Sequence, residues 1–162
     1  SRFKLLWIMF RSFDRPEDRP YTLIWLYTQF IASDAVLIPL LSYFESHEML
    51  PLLMIIIIAN GVGDGLAEPV GIRFGKRKYT TYALFTKQRY VRSYAGSACV
   101  FVTTLIAVIA FQSYFNPTQL MAALITLPLL ITLAEAFSPH TWDSPLIYAV
   151  GGVSLIAIMQ SL

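Results

Sequence analysis

The sequence predicts an all-α fold, a polytopic bundle of membrane helices. Hydrophobic residues make up 56% of its 162 residues and charged residues only 14%, which is far more apolar than an ordinary soluble domain. Apolar segments of roughly 20 residues, the length that a helix needs to cross the hydrocarbon core, recur along the chain. All 12 Lys and Arg lie at or before Arg92, so the C-terminal helices carry no basic residue. The single cysteine, Cys99, excludes an internal disulfide.

Five segments are predicted to span the membrane, and prolines mark most of the connections between them. The spans are 21–41, 50–68, 94–114, 120–137 and 145–162. Proline suits the first turn of a helix but interrupts its interior, so we expect Pro51 to lie in the first turn of a helix and Pro69 and Pro117 to lie in connections. Pro39 and Pro128 fall within spans, where we expect kinks.

The whole chain is expected to form one integral membrane domain whose connections alternate between the two faces. Since it starts without Met, we expect an earlier part of the protein to precede Ser1. Five alternating helices place the connections 11–20, 71–93 and 138–144 on one face. The first two contain nearly all the basic residues and the opposite connections contain none. The positive-inside rule therefore predicts that the basic face is cytoplasmic.

Acidic residues collect at this face, next to a basic connection. Asp64 and Glu68 lie in a glycine-rich stretch at the end of the second span, and the following segment 73–92 contains seven basic residues and no acidic one. Carboxylates hold Mg²⁺ and bases neutralise phosphate oxygens, so the combination is typical of a metal-bound polyphosphate site. The basic segment is equally consistent with a topology signal or a contact with anionic lipid. Asp34, in the middle of the first span, is either a substrate or proton contact or a polar link between helices.

Other motifs and residues of this region allow further interpretations. Gly75 and Lys76 do not form a Walker A loop, because the required earlier glycine and the following Ser or Thr are missing. His140 is interpreted as an interfacial residue, with a phosphate contact as the alternative. The aromatic residues of segment 73–92 either stack a nucleobase or belong to an aromatic belt at the membrane surface; they are Phe74, Tyr79, Tyr82, Phe85 and Tyr90. A juxtamembrane connection explains the basic residues, so nucleic acid is not an expected partner.

Three motifs follow one another between residues 63 and 145. They are GDGLAEPVGIRFGKRK from Gly63, RSYAGS from Arg92, and LAEAFSPHTWDSP from Leu133. Their order resembles that of the CTP-dependent lipid-alcohol kinases, the family of dolichol kinase, phytol kinase and yeast-type diacylglycerol kinase, which is related to phosphatidate cytidylyltransferases. The resemblance covers about residues 60–152, which we take as the motif-bearing catalytic core.

The resemblance implies a membrane kinase in which the hydroxyl of a lipid alcohol attacks the terminal phosphate of CTP. It implies catalytic and metal-binding roles for Asp64, Glu135 and Asp143, with Mg²⁺ held by Asp64 and Asp143 and with Glu135 as a further metal ligand or the proton acceptor. The residues that it implies for nucleotide binding are Gly63, Gly75, Lys76, Arg77, Lys78, Arg92, Ser93, Gly96 and Ser97.

Two positions depart from the family pattern and keep other functions open. Ala95 stands where the family has Glu, and Ser144 stands where it has Asn, so a divergent or inactive member is one alternative. A cytidylyltransferase, in which a lipid phosphate attacks the α-phosphate, is another. A channel or transporter is disfavoured because only Asp34 lies deep within a span. Polyprenol, phytol, farnesol and diacylglycerol all remain candidate substrates.

Overall fold

The protein folds as a bundle of helices with one small β-hairpin, seen in a computed structural model that describes residues 18–84, 87 and 89–162. The helical elements are α1 (Thr22–Ser46), α2 (Leu50–Ile58), a π-helix (Ala59–Asp64), α3 (Gly65–Phe74), α4 (Tyr94–Ala110), a 3₁₀ turn (Gln112–Tyr114), α5 (Pro117–Phe137) and α6 (Asp143–Ser161). The prediction of a helical bundle is confirmed.

Four helices in the described ranges are long and apolar enough to cross a membrane. They are α1, the continuous run Leu50–Phe74, α5 and α6. The third predicted span is shorter than expected: α4 ends at Ala110 after 17 residues, because the chain then tightens into the 3₁₀ turn. Many large apolar side chains point outward, including Ile31 at 66% and Ile106 at 60% exposure. Helices that are apolar on their outer faces as well as inside are typical of membrane spans.

The prediction that Pro69 ends the second span is wrong. The helical run continues through α3 to Phe74 and is capped at Gly75. Pro69 lies just past the first turn of α3, at the change from π to α hydrogen bonding, where fewer α-type bonds remain for a proline to remove. Pro51 occupies a first-turn position as predicted. Pro117, which was predicted to lie in the connection before residue 120, is also in a first turn, so this helix begins earlier than expected.

The segment 73–92, predicted as a connecting loop, contains a β-hairpin. Strand β1 (Lys78–Tyr82) pairs antiparallel with β2 (Arg89–Ser93), with Tyr79 opposite Arg92. Both strands are rich in β-branched and aromatic residues, which favour extended backbone. A two-stranded hairpin is marginal alone, and this one is held by a bridge from Ala83 to His140 in the α5–α6 connection.

The two ends of the bundle differ in character. At one end the start of α1, the hairpin and the α5–α6 connection meet, since His140 bonds Asp18 at 3.0 Å and its backbone N–H donates to the Tyr82 carbonyl. At the other end Gln160 Nε2 donates to the Tyr43 hydroxyl at 2.6 Å. Between them lies an apolar core whose fully buried members include Phe44, Leu53, Ile56, Val108, Leu127 and Ile147. We call the first end the hairpin end, and the described basic residues cluster there.

Candidate functional site

Arg92 is the centre of a hydrogen-bonded network that joins β2 to the end of α5 and the start of α6. Its Nη1 donates to Glu135 Oε1 at 2.5 Å and also to the Glu135 carbonyl oxygen. Its Nη2 donates to Ser138 Oγ at 3.0 Å and to Asp143 Oδ2 at 3.3 Å. Burial lowers the pKa of Arg92, but the carboxylates of Glu135 and Asp143 raise it by more, so the net shift is upward. The guanidinium therefore stays charged and holds the two acids together.

The second oxygen of Glu135 is also occupied. Ser97 Oγ donates to Glu135 Oε2 at 3.0 Å, and the Tyr79 hydroxyl lies 2.7 Å from Ser97 Oγ. Because the Ser97 hydrogen points to Glu135, Tyr79 is the donor in the second bond. Burial raises the pKa of the Tyr79 hydroxyl above its usual value, against the opposing effect of the Ser97 hydrogen bond, so this donor keeps its proton at neutral pH.

Tyr79 belongs to this network, whereas the sequence predicted that it either stacks a nucleobase or belongs to an aromatic belt. The missing information was the hairpin register, which sets Tyr79 opposite Arg92. Paired residues on adjacent strands point to the same face, so both side chains reach the end of α5.

Asp64 is the carboxylate of this cluster that is left open. It is partly buried at the end of the π-helix and interacts electrostatically with Asp143, Glu135 and Arg92. Within the described ranges it has no hydrogen-bond or ion-pair partner.

The cluster opens into a cavity of about 700 Å³ at the hairpin end. Asp64, Asp143, Glu135 and Arg92 all line it. Lys78, which is exposed at the start of β1, lines it too and brings a second positive charge. The volume lies in the range of small-molecule and cofactor sites.

The predicted nucleotide-binding residues divide into those at the cavity and those away from it. Four of them line the cavity: Lys78, Arg92, Ser93 and Gly96. The other five are not among the lining residues: Gly63, Gly75, Lys76, Arg77 and Ser97. The cavity is also lined by Gly65, which was not predicted. Lys76 and Arg77 are exposed on the approach to β1. Ser97 contributes indirectly, through Glu135.

Three of the predicted glycines have a packing reason for being glycine. A Cβ on Gly96 would lie 2.7 Å from the Ala67 carbonyl oxygen, and one on Gly75 would lie 2.7 Å from Ser93 Cβ. A Cβ on Gly63 would meet the α4 backbone at 3.3 Å. These positions let the Leu50–Phe74 run approach the start of α4 closely, which places Asp64 beside the Arg92 network.

Mg²⁺, which the family resemblance implies, fits this donor set through two carboxylates. In the described part of the chain no group of three or more His, Cys, Asp or Glu side chains is arranged to hold a metal ion. Glu135 accepts hydrogen bonds from Arg92 and Ser97 on its two oxygens. Mg²⁺ is commonly bound by only one or two carboxylates together with substrate phosphates and water. Asp64 accepts no hydrogen bond from the described residues, and Asp143 accepts one hydrogen bond on each oxygen, so both retain lone pairs.

Other predicted residues lie in distinct surroundings. Asp34 is exposed in the middle of α1, outside the cavity lining. His140 is packed into the hairpin end, where it bonds Asp18. Ser144, where the family has Asn, accepts a hydrogen bond from Gln29 Nε2 at 3.3 Å, and Ala95 is partly buried. Phe85 lies outside the described residues.

Comparisons of the chain with protein-family models, with curated proteins and with solved structures give no match. The family resemblance therefore stays a prediction that rests on the three motifs.

Proposed function

We propose that this protein is an integral membrane phosphotransferase that moves the terminal phosphate of a nucleoside triphosphate to a long-chain lipid alcohol. CTP is the proposed donor because of the family resemblance. The observation that carries the proposal is one cavity that contains an open carboxylate, two positive charges and an apolar edge exposed on the outside of the helices.

The charged part of the cavity suits a triphosphate. Arg92 and Lys78 supply positive charge for phosphate oxygens. Ser93 caps α4 and accepts a hydrogen bond from the Gly96 N–H, and the N-terminus of a helix favours anions. Asp64 and Asp143 would hold Mg²⁺, and such an ion neutralises charge on phosphate oxygens when it is bound.

The apolar edge suits a lipid. Phe30 on α1 and Ile72 on α3 both line the cavity, yet their side chains are 60% and 80% exposed. In a membrane these faces meet acyl chains, so a lipid alcohol would reach the carboxylates from the side while its chain stays in the bilayer. Its oxygen attacks the terminal phosphorus, the bond to the β-phosphate oxygen breaks, and the hydroxyl proton passes to a carboxylate of the cluster. The products are a lipid phosphate and a nucleoside diphosphate.

The hairpin end is proposed to face the cytoplasm. The described basic residues cluster at this end, and the positive-inside rule places such an end on the cytoplasmic side. The triphosphate would then come from the cytosolic nucleotide pool.

The test is a transfer assay on the purified chain in lipid, with CTP labelled on the terminal phosphate and a panel of lipid alcohols. Asp64→Asn keeps the size of the side chain but removes its charge, and we expect transfer to fall about 100-fold or more. Asp34→Asn removes a carboxylate outside the cavity and serves as the matched control, with transfer unchanged. An Asp64→Asn variant with wild-type transfer would show that the carboxylate assignment is wrong.

Two other outcomes identify the competing functions. If label on the α-phosphate of CTP is incorporated into the lipid together with the nucleotide, the protein is a cytidylyltransferase. Wild-type protein that transfers nothing from CTP, ATP, GTP or UTP to any lipid indicates an inactive member, as the departures at Ala95 and Ser144 would allow.

A further inference from the structure

Gln29 is a polar residue of α1 that lies where the apolar edge of the cavity meets its charged part. It lines the cavity, and the next residue, Phe30, belongs to the exposed apolar edge. The helix α1 is one of those long and apolar enough to span a membrane. Polar side chains in such a helix usually face a cavity or a partner, because lipid offers them no hydrogen bond. The amide of Gln29 is therefore suited to a polar group in the cavity.

One hydrogen bond holds the Gln29 amide beside Asp143. Its Nε2 donates to Ser144 Oγ at 3.3 Å, and the Ser144 backbone N–H donates to Asp143 Oδ1 at 3.1 Å. Ser144 lies in the first turn of α6, so this contact ties α1 to the start of α6. The amide is thus held next to one of the two carboxylates that would bind Mg²⁺.

The carbonyl oxygen of the same amide is open. A side-chain amide has two donor hydrogens and two acceptor lone pairs. Among the residues that the structure describes, however, nothing donates to Gln29 Oε1. Gln29 is partly exposed, and Oε1 is not one of the unpartnered polar atoms that are buried. A molecule in the cavity can therefore reach this oxygen.

A neutral acceptor at this place suits a hydroxyl better than an anion. A hydroxyl donates its hydrogen to a carbonyl oxygen, whereas the oxygens of an ionised phosphate are acceptors. A lipid alcohol brings one hydroxyl on an apolar chain, and that chain would lie along Phe30 and Ile72, which form the exposed apolar edge. The open oxygen of Gln29 thus favours an alcohol over a lipid phosphate.

We propose that Gln29 binds the hydroxyl of the lipid alcohol, with Oε1 accepting the hydroxyl hydrogen and holding the substrate oxygen next to Asp143. This inference rests on the proposed function, because it assigns the residue that recognises the lipid substrate of that reaction. The contact is made when the alcohol binds. The hydrogen passes to a carboxylate only when the phosphate is transferred, so the contact contributes to binding more than to the chemical step.

The test is steady-state transfer from CTP by the purified chain in lipid, with phytol, a polyprenol and diacylglycerol as probe alcohols. The alcohol and CTP are varied separately, which gives a KM for each. Gln29→Met keeps the length of the side chain and removes the amide, and Gln29→Ala serves if the Met variant does not fold. Gln160→Met is the matched control, because Gln160 on α6 bonds Tyr43 on α1 at the other end of the bundle. Ser144→Ala removes the tie to Gln29 and keeps the amide.

We expect Gln29→Met to raise the KM for the alcohol about 3- to 10-fold, the loss that one neutral hydrogen bond gives. The kcat should not fall, and the KM for CTP should stay unchanged. Gln160→Met should alter none of these parameters, and Ser144→Ala should raise the KM for the alcohol less than Gln29→Met does.

The inference is overturned if Gln29→Met keeps the wild-type KM for the alcohol, or if it raises the KM for CTP equally. It is also overturned if Ser144→Ala reproduces the full effect, because Gln29 would then act only as a tie between helices. Wild-type protein that transfers phosphate to none of the probe alcohols overturns the proposed function as well, so the two failures are distinguishable.

Discussion

Replacing Arg92 with Met should destabilise the fold, because the buried Glu135 loses its positively charged partner. Glu135 is 5% exposed at its side chain and Arg92 is 14% exposed, so neither charge is well hydrated. Removing one partner of a fully buried pair costs about 3–5 kcal/mol, because the remaining charge has no compensation. The residual exposure of Arg92 places the expected loss at the lower end, about 3 kcal/mol. For a chain of this length that corresponds to a fall in melting temperature of about 6–12 °C.

The assay is thermal unfolding of the purified protein in detergent at neutral pH, followed by circular dichroism. The upward shift in the pKa of Arg92 means that its stabilising contribution is complete below its usual pKa and is lost only as the pH rises through the folded value. The double variant Arg92→Met with Glu135→Gln removes the uncompensated charge and should recover more than half of the loss. A fall of less than about 2 °C for Arg92→Met, or a double variant as unstable as the single one, would refute the reasoning.

Two further substitutions test the contacts that support the site. Tyr79→Phe removes the donor to Ser97. Because burial raises the pKa of Tyr79 above 10.0, the stability difference between wild type and variant should be constant below pH 10.0 and shrink as the pH rises through that value. A stability difference that does not change in alkaline melting curves contradicts this expectation. Gly96→Ala brings a Cβ to 2.7 Å from the Ala67 carbonyl oxygen, so it should lower the free energy of unfolding by about 1–3 kcal/mol. Gly61→Ala is the control, because nothing lies within 4 Å of a Cβ at this position, and it should be neutral or slightly stabilising in the same denaturation series. Equal losses of unfolding free energy for the two variants would argue against close helix packing at Gly96.

Much of the helical architecture follows from local properties of the chain. Hydropathy and proline positions predicted the long helices because the length of an apolar run and the fixed φ of proline act within one segment. The sequence also brought Asp64, Arg92, Glu135 and Asp143 together as one expected site, through the order of the motifs. The predicted secondary structure was wrong at Pro69 and in the segment 73–92, where hydrogen bonding beyond the nearest residues decides the conformation.

The sequence by itself determined which segments are apolar, where the basic residues concentrate, and which acids lie near helix ends. Each of these features depends only on residues that are neighbours along the chain. Only the tertiary structure decided that Arg92 binds Glu135 and Asp143 while Asp64 stays open. That division depends on the hairpin register and on the close approach at Gly96. The interactions join residues more than 40 positions apart along the chain, and their geometry exists only when the helices have packed.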